Sequence, residues 1–255
     1  MISTYFKFDG IESTSKGLSI VKIDTGLTSI AWVGAKDIIE EKSRYRDLAS
    51  FYGVNKKPIE FRITFSLLDE KMTDDKKFDL ARWLFRDVYI EFQTADNMSK
   101  RISVIATNQQ EFMTADNENG YFSVDFRANS PYWYSSTYSD SFDLTENITS
   151  TIIEIYNRSN AVEIYYPEIE FKITEGTDVK FKNLNNAGVE SAFTGLTLNE
   201  TIYMNNTRHQ IKSDLDIPRL SNFNKNWLGL TYGKNRIEVT GKCELEVRSK
   251  YPLYL

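Results

Sequence analysis

Catalysis near neutral pH leans on a short list of side chains, and in this sequence that list is nearly empty. His209 is the one histidine among 255 residues, and Cys243 is the one cysteine. Any His-based triad, His-pair metal site or zincin helix must therefore pass through His209. Its setting, Asn205-Asn206-Thr207-Arg208-His209-Gln210, matches none of those patterns. A lone histidine beside a turn reads as a surface residue. Cys243 lies in the alternating run 236–247, where a buried strand thiol is expected rather than a nucleophile, and alone it makes neither an intrachain disulfide nor a multi-cysteine zinc site. The 36 Asp and Glu residues leave paired acids for glycoside hydrolysis open by count, but nothing marks out one pair. Asp214 and Asp216 resemble a fragment of a calcium loop without its glycine or its later bidentate glutamate. There is no P-loop, no GxGxxG after a strand and no GxSxG elbow. No catalytic residue, metal site or cofactor is expected.

Aromatic side chains offer a different chemistry, stacking on sugar rings. Trp133, Tyr134 and Tyr138 lie near the middle of the chain; Tyr165, Tyr166 and Trp227 lie in the second half. Tyr166 and Trp227 are the candidates for sugar stacking. The other reading of all six is core packing in a β-rich fold.

These residues need elements to position them. Aromatics make up 14% of the chain, with 15 Tyr and 16 Phe, and together with many Ile, Val and Thr residues they favour strands. Residues 59–67 give the clearest signal: Ile59, Phe61, Ile63, Phe65 and Leu67 alternate with polar residues, the period of a half-buried strand. Runs 18–23, 88–92, 101–107 and 121–128 follow the same grammar, with Phe122, Val124, Phe126 and Ala128 on one face of the last. One segment reads as a helix: Thr73 caps it, Asp74 and Asp75 suit its positive end, and Phe78, Ala81, Leu84 and Phe85 recur at helical spacing. Pro131 and the polar stretch 135–140 read as a stop and a linker. Beyond them, strands are expected at 151–157, 165–173, 179–181, 201–204, 227–230 and 236–247, with turns at Glu175-Gly176, Asn185-Asn186, Asn205-Asn206 and residues 232–235. Many short strands without a second helix fit a β-sandwich.

Residues 36–55 stand apart. Charges at Lys36, Asp37, Glu40, Glu41, Lys42, Arg44, Arg46 and Asp47 are interleaved with Ile38, Ile39, Tyr45, Leu48, Phe51 and Tyr52. An excursion this long in a compact domain is either a solvated surface hairpin or an arm that reaches a neighbouring subunit.

The composition, 41% hydrophobic and 26% charged, is that of a globular protein, and a formal net charge of −5 argues against a nucleic-acid binder. The first ten residues lack the pattern of a signal peptide, and no apolar run approaches transmembrane length, so a soluble protein made in a cytoplasm is expected.

Several segments, in order, resemble the distal tail protein (Dit) family of siphophages that infect Gram-positive bacteria. They are Phe6-Lys7-Phe8-Asp9-Gly10, then Asp47-Leu48-Ala49-Ser50-Phe51-Tyr52-Gly53-Val54 with Pro58-Ile59-Glu60-Phe61, then Ala81-Arg82-Trp83-Leu84 with Tyr89-Ile90-Glu91-Phe92. Asn119-Gly120-Tyr121-Phe122-Ser123-Val124-Asp125-Phe126 runs into Ser130-Pro131-Tyr132, where the family's first domain ends. In the second half, Asn157, Tyr166-Pro167-Glu168-Ile169, Glu200-Thr201-Ile202 and Gly233-Lys234-Asn235-Arg236-Ile237 resemble its galectin-like domain. The turn after Asn157 lacks a glycine often found there, and the segment before Trp227 is rich in asparagine where glycine is common.

The resemblance implies a mainly β protein of two domains. Residues 1–136 would form a β-sandwich-like ring domain with one α-helix and a protruding hairpin; residues 137–255 would form a galectin-like β-sandwich. It further implies a homohexameric ring in the virion, at the tail tip, joining the tail tube protein to the tail-associated hub or lysin protein. Receptor-binding or baseplate proteins would sit at the periphery, DNA would only pass through the channel, and no membrane would be entered. A mildly acidic wall is compatible with DNA sliding past. In that frame the excursion 36–55 is expected at the inter-subunit contact, anchored by Tyr45, Leu48, Phe51 and Tyr52. The alternative function is a carbohydrate-binding host-adhesion module.

Overall fold

In the computed structural model of the protein, residues 4–21, 34–45, 47–67, 71–108, 112–114 and 120–254 are described. The expected strand positions 22 and 23, Arg46 of the excursion and Asn119 lie outside them. The chain divides into two compact units, Met1–Ser135 with Tyr254–Leu255, and Ser136–Leu253.

The first unit is built from β1 (Phe6–Phe8), β2 (Ile11–Glu12), β3 (Leu18–Ile20), β4 (Lys36–Glu41), β5 (Ser50–Lys56), β6 (Glu60–Leu67), α1 (Asp74–Leu84), β7 (Ile90–Thr94), β8 (Lys100–Ala106), β9 (Phe112–Thr114), β10 (Gly120–Ala128) and β11 (Trp133–Ser135). One antiparallel sheet runs β2-β1-β7-β8-β10-β6-β3, with β9 on β10 and β11 on β8; β4 and β5 form a sheet of their own. Alternation decides which side faces the core. Phe122, Val124, Phe126 and Ala128 of β10 are all buried, as are Phe65 of β6 and Ile102 and Val104 of β8. Aromatic rings fill the interior: Phe6 lies 5.3 Å from Phe65 and 5.2 Å from Phe92, and Phe61 lies 5.5 Å from Phe126. At these separations aromatic pairs add to simple burial.

The helix starts as its sequence implies, with Thr73 Oγ1 accepting from Lys76 N at 3.3 Å and Asp74 and Asp75 in its first turn. Its inward face differs from the expected one. Leu80, Trp83 and Leu84 are buried, whereas Phe78 is 79% exposed and Phe85, at the C-cap, is also exposed. Trp83 sets the rotation. Its ring packs on Phe6 and Phe8, and its Nε1 donates to Phe8 O at 3.2 Å, so the largest side chain of the helix gains both apolar contact and a polar partner.

The second unit comprises β12 (Tyr138–Asp143), β13 (Ser150–Asn157), β14 (Ile164–Tyr165), β15 (Glu168–Asn183), β16 (Val189–Phe193), β17 (Thr201–Asn205), β18 (Gln210–Ser213), β19 (Leu230–Thr231), β20 (Gly233–Ser249) and β21 (Pro252–Leu253). The sheet order is β12-β20-β15-β17-β18, with β13 also on β20 and β16 also on β15. Two expectations change here. Glu175-Gly176 is not a chain reversal but a bulge inside the 16-residue β15, where register against β20 shifts between Ile173 and Lys180. Residues 227–229 are irregular rather than a strand.

The bulge divides both long strands into halves that wrap one core. Ile169, Phe171 and Ile173 precede it and Val179 and Phe181 follow it, yet all five belong to a single buried cluster with Ile237, Val239, Cys243, Leu245 and Val247 of β20. Gly241 faces the bulge at φ +101°, where an added Cβ would lie 2.4 Å from Asp178 O. Between β11 and β12 only Ser136 and Thr137 remain of the stretch read as a linker.

Candidate functional site

The β4–β5 hairpin is the most unusual surface of the first unit. Its ladder pairs Lys36 with Lys56 through Glu41 with Ser50, with a bulge between Ile39 and Glu40. Neighbouring residues of a strand point to opposite faces, so Ile38 with Ile39, and Phe51 with Tyr52, place apolar groups on both sides of the ribbon. All four are exposed, as is Val54. Beyond the strands, Tyr45 is 92% and Leu48 84% exposed. The four anchors expected from the sequence therefore lie on one element and touch little of their own subunit.

The base of the hairpin is held more firmly. Lys57 N donates to Ala35 O at 2.7 Å, and Lys57 Nζ meets Asp37 at 2.8 Å. Gly34 is buried against this crossing; a Cβ there would lie 2.3 Å from Lys57 O and 3.2 Å from Pro131 Cα. Lys56 Nζ donates to the Tyr132 hydroxyl, which raises the lysine pKa despite some burial, and the ammonium also sits 5.1 Å from that ring's centroid.

The side chains with potential chemistry are occupied structurally. Cys243 is fully buried, and burial pushes its thiol up to about 12, so it holds its proton at neutral pH. Asp214 accepts from Thr201 N at 3.0 Å. His209 stacks on Trp227 with ring centroids 4.7 Å apart, and Phe223 meets the same indole edge-on at 4.9 Å. Tyr166 is partly exposed and lines a cavity of about 280 Å3 with Tyr165, Glu168, Arg208 and Arg248. Trp227 is not among the residues lining that cavity. A second hollow, of about 550 Å3, has Asp143, Glu170, Lys172, Glu244 and Glu246 on its walls, and its aromatic members, Phe142 and Phe171, pack into the core. No group of three or more potential metal ligands occurs among the described residues. None of the described helices is long and apolar enough to cross a membrane.

Sequence reading missed two polar structures of the second unit. Glu200, with no exposed surface, meets Arg219 bidentately at 2.8 and 2.7 Å, and also accepts from Ser213 Oγ and Thr197 N. Burial alone would push this carboxyl up; the bonds from Arg219, Ser213 and Thr197 outweigh it and hold the pKa at about 2. The second is a set of buried asparagines around residues 228–231. Asn183 donates to Gly229 O, Asn157 to Leu230 O and Asn235 to Thr231 O, and Asn206 Oδ1 accepts from Leu228 N, at 2.7 to 3.0 Å. Side-chain amides thus satisfy backbone groups of the irregular residues 228–229 and of the short β19.

Residues 1–130 match the family described as phage tail protein N-terminal domain, and residues 132–249 match the phage tail C-terminal domain. The SPbeta prophage-derived uncharacterized protein YomH of Bacillus subtilis (strain 168) is 25% identical over 253 residues, which span 98% of this chain and 97% of that protein. Among solved structures, SPP1 Dit (gp 19.1), described as a paradigm of the hub adsorption apparatus in Gram-positive infecting phages, aligns with a TM-score of 0.71 over 96% of this chain and 98% of that one, at 10% identity. At that identity the likeness is one of fold.

Proposed function

This chain belongs to the phage tail protein family, whose N- and C-terminal domains it matches, and from that premise we propose that it is a structural hub subunit of the tail tip, with six copies closing a ring. The ring joins the tail tube protein to the tail-associated hub or lysin protein, carries receptor-binding or baseplate proteins at its periphery, and lets DNA pass on ejection. Residues 1–136 build the ring and residues 137–255 form the outer sandwich domain.

The hairpin carries this reading. A two-stranded ribbon bare on both faces is marginal in water by itself. Covering a large apolar side chain yields about 1.5–3 kcal/mol, so a neighbour that covers Tyr45, Leu48, Phe51 and Tyr52 supplies what the subunit lacks. The Dit-like fold and the net charge of −5, which gives passing DNA little to hold, are in keeping with it.

Light scattering behind size-exclusion chromatography, with negative-stain images, tests the proposal. Wild-type protein should give six-membered rings. The combined Tyr45→Ala, Leu48→Ala, Phe51→Ala and Tyr52→Ala variant should remain folded, with its circular dichroism unchanged, and run as a monomer. Rings that persist in this variant remove the hairpin from the interface; a wild-type chain that is monomeric at every concentration defeats the ring.

The alternative, a carbohydrate-binding host-adhesion module, draws on Tyr166 and its cavity. Trp227 serves it less well, since His209 already stacks on the indole. Specific, saturable glycan binding removed by Tyr166→Ala would favour that reading.

A further inference from the structure

We propose that the outward face of α1, made by Phe78 and Phe85 with the following Val88 and Tyr89, is the seat on which the hairpin of the next copy docks. The proposal rests on the ring reading and deepens it by naming the receiving surface. A ring of more than two copies is closed by head-to-tail contacts, so each subunit needs two unlike surfaces, one to reach and one to receive. The hairpin is the first.

The second emerges from what is left. Among the described residues of the first unit, large apolar side chains exposed outside the hairpin are Phe78, Phe85, Val88, Tyr89 and Tyr121. Four of these five fall within twelve consecutive residues. Phe78 and Phe85 are seven apart, two helical turns, and so share one stripe of α1. The helix does not need that stripe for its own packing, which Leu80, Trp83 and Leu84 provide. A phenylalanine 79% exposed at mid-helix has neither core contact nor helix propensity to recommend it over lysine or glutamate. It does suit an interface, where aromatic side chains anchor partners.

Charge points the same way. Among the described residues, the end of the hairpin carries Lys42 and Arg44 against Asp47, a basic excess; the α1 face carries Asp75 and Asp87 against Arg82, an acidic one. Other charges nearby are already paired within the subunit, Asp74 with Lys77, Asp79 with Lys16 and Arg86 with Asp9. Among the described residues, no ion pair within the subunit engages Lys42, Arg44, Asp75 or Asp87. The seat is therefore apolar with an acidic margin, and the hairpin end is apolar with a basic one.

The test uses the full chain with Leu48→p-benzoylphenylalanine, assembled from isotopically light and heavy copies and irradiated. Crosslinked peptides should join residue 48 of one isotope to the 71–89 segment of the other. Phe78→Asp with Val88→Asp should weaken assembly by about tenfold or more, as losing one or two buried apolar anchors implies, while leaving the unfolding temperature of the subunit unchanged. Rings that crosslink elsewhere, or that assemble normally with both aspartates, overturn the seat and leave the ring reading intact. Crosslinks in whole tails that reach only a different tail protein also overturn it. A wild-type chain that never oligomerises overturns both.

Discussion

A carboxylate without exposed surface stays charged only where its neighbours replace the water it has lost. Glu200 meets that condition through Arg219, Ser213 and the Thr197 amide, and its pKa near 2 lies below the ordinary 4.5. Because the folded value is the lower one, the stabilisation is fully present above about pH 4.5 and is lost as pH falls from there toward 2. Glu200→Gln should lower stability by about 3–5 kcal/mol at pH 7, the usual cost of leaving one partner of a buried pair alone. Its stability should also fall less steeply than that of the wild type between pH 4.5 and 2, in denaturant titrations at a series of pH values. Asn183→Ala should cost about 1–3 kcal/mol, because the Gly229 carbonyl loses its buried donor. Neither structure was legible in the sequence. The pair is 19 residues apart with no periodicity linking its members, and the asparagines carry the signature of exposed turns. Whether an amide faces water or a bare carbonyl is decided only once strands distant in the chain are brought together.

At the scale of elements, alternation was a good guide wherever a strand has one buried face. β10 follows it along its length, and β6 and β8 bury Phe65, Ile102 and Val104 at alternating positions. It failed where a local signal had two meanings. Glycine at Glu175-Gly176 marks either a reversal or a bulge, and only the continuous pairing of β15 with β20 distinguishes them. In α1 the spacing of Phe78 and Phe85 was legible, but the direction they face was not, because Trp83 claims the core and turns them outward. Two glycines test this level. Gly241→Ala, strained by its positive φ and blocked by Asp178 O, should lower the denaturation midpoint by an amount equivalent to about 1–3 kcal/mol. Gly34→Ala meets the Lys57 carbonyl at the hairpin base; proteolysis within residues 42–49 should speed up while near-ultraviolet dichroism from the aromatic core is retained.

For the whole molecule, the order of weak motifs along the chain conveyed more than any one of them. Phe-Tyr-Gly before a core strand, or Ser-Pro-Tyr after one, is common turn-and-strand grammar; their sequence over nearly the full length is not. The second unit has a core made of its own residues, with Ile169, Phe171, Val179, Phe193, Ile202 and Val239 all in one cluster. A fragment starting at Ser136 should consequently fold, unfold in a single transition by circular dichroism, and remain a monomer by light scattering. Ring formation by that fragment would assign assembly to the wrong half of the chain.

The bare hairpin also bears on the life of the subunit before assembly. An exposed ribbon with apolar groups on both faces is the type of surface that recruits stray strands into fibrils and precipitates. Lys36, Asp37, Glu40, Glu41, Lys42 and Arg44 are spaced through it like gatekeepers. If the hairpin docks as proposed, the same charges would keep unassembled copies apart until docking outcompetes water.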